Sequence, residues 1–97
     1  MIEVRQTTVF RDWLDGLRDR RAQEKIAQRI VRVQAGLLGD AKFFEGIGEL
    51  RIDYGPGYRL YFVQRGTVVI VLLCGGDKGS QDRDIKRAKV LAGESEK

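Results

Sequence analysis

Apolar and polar positions change period three times along this chain. Ile2 and Val4 alternate with Glu3 and Arg5, which predicts a short first strand. Phe10, Trp13, Leu14 and Leu17 then fall at i, i+3, i+4 and i+7, one face of a helix that Thr7 or Thr8 can cap. Asp19 offers a second cap. Ala22, Ile26, Ile30, Val33 and Leu37 continue at helical spacing, and Gly36 or Gly39 ends the run. Two helices joined this closely form an antiparallel hairpin with their apolar stripes on one surface.

From about residue 43 the period becomes two. Leu50, Ile52 and Tyr54 alternate with Glu49, Arg51 and Asp53; beyond Gly55-Pro56-Gly57, Tyr58, Leu60 and Phe62 alternate with Arg59, Tyr61 and Val63. A three-residue loop would pair Tyr54 with Tyr58, Ile52 with Leu60 and Leu50 with Phe62, apolar against apolar. Arg65-Gly66 reads as a two-residue turn into Thr67–Cys74, a strand apolar on both faces and so central in its sheet. After Gly75-Gly76-Asp77-Lys78-Gly79, Ser80 is expected to cap a last helix with Ile85, Ala88 and Leu91 facing inward. The expected fold is α+β in the order β-α-α-β-β-β-α. A mostly antiparallel sheet carries the helical hairpin on one face, and the last helix covers part of the other. Residues 1–92 form one domain and 93–97 a tail.

The register makes a claim about the second sheet face. It sets Arg51 opposite Tyr61, Asp53 opposite Arg59 and Glu49 near Val63, with Ile70 and Leu72 alongside Tyr61 and Arg59. Glu49, Arg51, Arg59, Tyr61 and Lys78 then converge on one concave surface. Charge gives this surface meaning. Among 97 residues, 18 Lys and Arg against 14 Asp and Glu leave a net +4, and twelve of the cations are arginine, whose planar fork suits phosphate. Residues 50–92 carry eight basic and four acidic side chains, so the excess lies in the second half. Arg21, Lys25, Gln28 and Arg32 add a polar stripe on the second helix.

Composition narrows the chemistry. Without histidine, a base must be a carboxylate, a tyrosinate or a lysine of depressed pKa. One cysteine, Cys74, makes neither an intramolecular disulfide nor a four-thiolate metal site. No cofactor motif is present: Gly75–Ser80 lacks the spacing of a nucleotide-binding phosphate loop. The longest apolar run, Val68–Cys74, is seven residues, against about 20 for a membrane span. A cytoplasmic protein with a polyanionic partner is the expectation.

Phe10-x-x-Trp13-Leu14-x-x-Leu17, Glu49-Leu50-Arg51-Ile52, Gly55-Pro56-Gly57-Tyr58-Arg59-Leu60-Tyr61-Phe62, and Gly75-Gly76-Asp77-Lys78 followed by Gln81 and Asp84-Ile85 together resemble the RelE/ParE toxin superfamily. The likeness is strongest to its HigB-like branch of phage-related addiction-module killer proteins, over residues 2–92. The resemblance implies the toxin of a type II toxin–antitoxin system, a metal-independent endoribonuclease that cuts messenger RNA on the ribosome. A helix-turn-helix antitoxin would hold it inactive. Arg59 matches the strand arginine that contacts the scissile phosphate in RelE-like nucleases, Arg51 a basic position on the preceding strand, and Lys78 the basic residue after the last strand.

Where RelE-like enzymes often carry a tyrosine or histidine near the C-terminus, this chain has Gln81 and Ile85, so Glu49 or Tyr61 would have to act as base. Arg21, Lys25, Arg32 and Tyr58 are the expected RNA contacts, Tyr58 by stacking on a base. Ile70 and Leu72, on a partly roofed face, are the expected antitoxin contacts. The alternatives are a ParE-like inhibitor of DNA gyrase and an inactive relic that retains only antitoxin binding.

Overall fold

The computed structural model describes residues 1–95. Its elements are β1 (Glu3–Gln6), α1 (Thr8–Asp15), α2 (Arg20–Gln34), β2 (Ala41–Phe44), β3 (Ile47–Ile52), β4 (Tyr58–Arg65), β5 (Val69–Asp77), a 3-10 turn (Lys78–Ser80) and α3 (Gln81–Ser95). The fold is α+β. Five strands form one mixed sheet in the order β1-β5-β4-β3-β2, with β1 parallel to β5 and the other pairs antiparallel.

The helix ends follow from local chemistry. Thr7 caps α1: its Oγ1 accepts from the Phe10 amide at 3.0 Å and donates to the Leu73 carbonyl at 2.6 Å, tying the helix to β5. The Asp19 carboxylate accepts from the amides of Arg21 and Ala22 at the start of α2. Gly36, at φ 89°, closes α2: its amide donates to Val33 O and that of Leu37 to Arg32 O, the paired bonds of a glycine C-cap. Leu37 therefore lies beyond the helix and is exposed rather than part of its apolar stripe.

One apolar layer joins Phe10 of α1 and Ile26, Ile30 and Val33 of α2 to Leu50, Ile52, Leu60, Phe62, Ile70 and Leu72 of the sheet. The other joins Ala88, Ile85 and Leu91 of α3 to Ile47, Tyr61, Val63, Leu73 and Cys74. The helical hairpin and the last helix thus take opposite faces, as the pattern predicts.

Four details differ from the sequence reading. There are five strands, because Ala41–Phe44 pairs with β3 through a two-residue Glu45-Gly46 turn with both φ positive, 36° and 92°. The β3–β4 register is shifted by two residues: Ile52 pairs with Tyr58, Leu50 with Leu60, Arg51 with Arg59 and Glu49 with Tyr61. The loop runs from Asp53 to Gly57, and a shift of two keeps every side chain on its own face, so hydrophobic alternation does not distinguish the two registers. The β4–β5 turn has three residues, since Arg65 pairs with Val69. Finally, α3 is reached through the 3-10 turn capped by Asp77 rather than by Ser80, and it continues through Gly93–Ser95, expected as tail; 96–97 lie outside the described residues.

The β4–β5 ladder also carries a bulge. Tyr61 pairs with Cys74 but Phe62 with Leu72, so Leu73 is an extra residue in β5 and faces α3 together with Cys74. Beyond it, Gly75 meets the Trp13 indole on the helical-hairpin side, while Gly76 meets the Asp84 carboxylate and Ser80 on the α3 side. A Cβ on either glycine would collide with those groups, so both layers approach the backbone closely at this point.

Candidate anion-binding cleft

The α3 face of the sheet is covered only in part. Along it, three rows of paired residues run from under the helix to the open. Ile47 lies beneath α3, Glu49 and Tyr61 lie beside its first turn, and Arg51 and Arg59 lie beyond its N-terminus, next to Gly76 of β5. The β3–β4 loop forms the far wall. Its Gly57 adopts φ 79° and passes close to the Lys78 stem, a Cβ there lying 3.5 Å from that of Lys78. The result is a cleft lined by Arg51, Arg59 and Lys78, with Asp40, Asp53 and Gly55-Pro56-Gly57.

Among the described residues the guanidiniums in this cleft have no hydrogen-bond or ion-pair partner. Arg59 is 8% exposed, and the Nε atoms of both Arg59 and Arg51 are buried with no hydrogen-bond acceptor. Among the described residues neither side chain forms an ion pair, and the expected Asp53–Arg59 pair is not formed because Arg59 stands opposite Arg51. Two cations held face to face with donors unused form a site that an anion would complete. An adjoining cleft along the start of α3 is lined by residues 78–83, in which Lys78 and Arg83 flank the Asp82 carboxylate.

The two expected bases are in a different situation. Glu49 is fully buried, with Oε2 accepting from Gln81 Nε2 at 2.9 Å and Oε1 without a partner. Tyr61 is fully buried too. Burial first, and then the neighbouring Glu49 carboxylate, push its hydroxyl pKa well above the ordinary tyrosine value, so it stays protonated. Neither reaches solvent in the cleft, which corrects the expectation that they share its open surface with the cations. Cys74 is likewise buried, its thiol pushed up to about 12 chiefly by burial. Among the described residues no three His, Cys, Asp or Glu side chains gather to hold a metal ion.

An uncharacterized protein of Haemophilus influenzae is 51% identical to this chain over 94 residues, an overlap that spans 96% of the chain and 95% of that relative. The chain belongs to that protein's family. No family model matches it.

In this family member the other expected contacts lie on the helical-hairpin side of the sheet. Arg21, Lys25 and Arg32 line grooves between α2 and the β3–β4 loop, with Gln28 and Tyr54, and Lys25 Nζ lies 5.3 Å over the Tyr54 ring. One of these grooves shares Ile52 and Asp53 with the cation cleft, so the two surfaces meet at the loop. Tyr58 is not beside Arg59. Alternation sends it to the other face, where it packs edge-on against Trp13 at 6.2 Å. Ile70 and Leu72 are each 1% exposed and belong to the core under α1 and α2; the three-residue β4–β5 turn places them on the face opposite Arg59. They offer no docking surface.

Arg29 escaped the sequence reading. Its guanidinium donates to the carbonyls of Leu38, Arg51 and Asp40 at 2.9, 2.8 and 2.7 Å, fastening α2 to the edge of β3 beside the cleft. Burial lowers its pKa, with Asp40 acting the other way. It stands one turn after Lys25 and lines the same groove as Lys25, Gln28 and Arg32, but no local pattern marks an arginine that bonds only to carbonyls. Among the described residues no helix is long and apolar enough to cross a membrane.

Proposed function

We propose that this protein is a RelE-like toxin of a type II toxin–antitoxin system, acting in the cytoplasm as a ribosome-dependent messenger-RNA endoribonuclease. One observation carries the reading: Arg51 and Arg59 stand opposite each other with no carboxylate between them, and Lys78 closes the same cleft. Such a clamp suits a phosphate whose charge grows in the transition state. The meeting of the cleft with the groove of Lys25 and Arg32 supports a strand of several nucleotides rather than one isolated anion. The sequence resemblance supplies the substrate class. The cognate antitoxin, a helix-turn-helix protein on that resemblance, would act by covering this cleft.

The test is cleavage of messenger on programmed ribosomes by purified protein. Wild type is expected to cut, and a folded Arg59→Ala variant to lose cutting and toxicity together. Full toxicity in folded Arg59→Ala and Arg51→Ala variants would sink the assignment.

The burial of Glu49 and Tyr61 favours one second reading, a non-hydrolytic inhibitor of DNA gyrase that uses the cleft only to bind. Early arrest of DNA synthesis with an intact messenger pool after induction would select it.

A further inference from the structure

A nuclease that works through a 2′-hydroxyl needs a group to accept its proton, and the chain's obvious acceptors are withdrawn. Histidine is absent, and Glu49, Tyr61 and Cys74 are buried. Two carboxylates remain in the wall of the cation cleft, Asp40 and Asp53. They are not equivalent. Asp40 lies in the field of the Arg29 guanidinium, to which its own carbonyl is bonded, and its carbonyl also accepts from the Arg51 amide at 2.9 Å. Both carboxylates are exposed, with no hydrogen bond or ion pair to either side chain among the described residues, and Asp53 holds the first position after β3. It also lines the neighbouring groove with Lys25 and Arg32, at the seam that a strand passing between the two grooves must cross.

We propose that Asp53 is the catalytic residue that takes the 2′-hydroxyl proton, an assignment that rests on the nuclease reading above. The freed 2′ oxygen forms its bond to phosphorus while Arg51 and Arg59 hold the non-bridging oxygens. The bond from phosphorus to the 5′ oxygen breaks, and that oxygen leaves with the electron pair and takes a proton from Lys78 or water. The products are a 2′,3′-cyclic phosphate and a 5′-hydroxyl end, and Asp53 returns its proton to water.

The experiment compares wild type, Asp53→Asn, Asp53→Glu and Asp15→Asn in single-turnover cleavage on programmed ribosomes. Binding is measured separately with a messenger that carries a 2′-deoxy sugar at the cut position and cannot react. Asp53→Asn is expected to slow cleavage by about 100-fold or more with unchanged binding, Asp53→Glu to restore part of the rate, and Asp15→Asn, at the exposed end of α1 and outside the cleft, to cut like wild type. An Asp53→Asn rate near that of wild type would overturn the assignment and leave the nuclease reading intact. So would a loss of rate matched by an equal loss of binding, which would make Asp53 a contact only. If wild type does not cut at all, the nuclease reading falls and this assignment falls with it.

Discussion

Arg51 and Arg59 occupy one cross-strand pair of β3 and β4, two like charges in direct opposition. Such pairs work against the sheet that holds them. Arg51→Ala is therefore expected to leave stability unchanged or raise it by up to about 1 kcal/mol, while abolishing activity. Inorganic phosphate at matched ionic strength should raise the melting temperature of wild type more than that of Arg51→Ala or Arg59→Ala. Thermal melts with and without phosphate check both statements, and equal shifts in all three proteins would mean that the cleft binds no anion.

Glu49→Gln separates the buried carboxylate from the chemistry. The amide oxygen can still accept from Gln81, and a fully buried ionisable group is replaced by a neutral one. Stability in urea is expected to be unchanged or higher, and cleavage retained. Loss of cleavage in a stable Glu49→Gln protein would return Glu49 to the list of bases.

Tyr61 makes the alkaline limb of the stability curve readable. Its pKa is raised from the ordinary 10.0, chiefly by burial, so the native state holds this proton more tightly than the unfolded chain does. That contribution is fully present below pH 10 and is lost as pH rises through the raised value. Cys74, raised from 9.0 to about 12, acts in the same sense. Tyr61→Phe removes one of these titrations and a buried hydroxyl beside the Glu49 carboxyl group. It is expected to be as stable as wild type at neutral pH and to lose less stability above pH 10. Parallel alkaline curves for the two proteins would contradict this account.

Gly75 and Gly76 test the close approach of the two layers. Gly75→Ala sets a methyl against the Trp13 indole, and Gly76→Ala sets one against the Asp84 carboxylate. Each is expected to cost about 1–3 kcal/mol in urea unfolding. Gly75→Ala should also perturb tryptophan fluorescence, because Trp13 is the chain's one tryptophan.

The long-period features were legible in the sequence because each is local. Thr7 and Asp19 as caps, the stripe from Ala22 to Val33 and the alternation around Leu50 and Leu60 all follow from near neighbours. What escaped depends on distant parts of the chain. β2 is four residues long and closes through a glutamate at positive φ, so neither its length nor its turn announces it. Arg51, Arg59 and Lys78 converge because all three are tied to one end of the β3–β4–β5 ladder, which small errors of register do not disturb. Whether Glu49 and Tyr61 are open or closed depends on where the first turn of α3 comes to rest, some thirty residues away from Glu49 in the chain. Alternation along a strand carries no trace of that.

The extra residue at Leu73 sets a limit on the length of this chain. Because Phe62 pairs with Leu72 and Tyr61 with Cys74, removing Leu73 would leave a regular ladder, with Gly75, Gly76 and everything after them still on their present sides. A residue added between Cys74 and Gly75 would instead exchange the two glycines between Trp13 and Asp84 and carry Lys78 away from Arg59. One deletion in β5 is thus expected to weaken packing yet keep the cleft, and one insertion to dismantle it. The two length variants are separable by whether phosphate still raises their melting temperature.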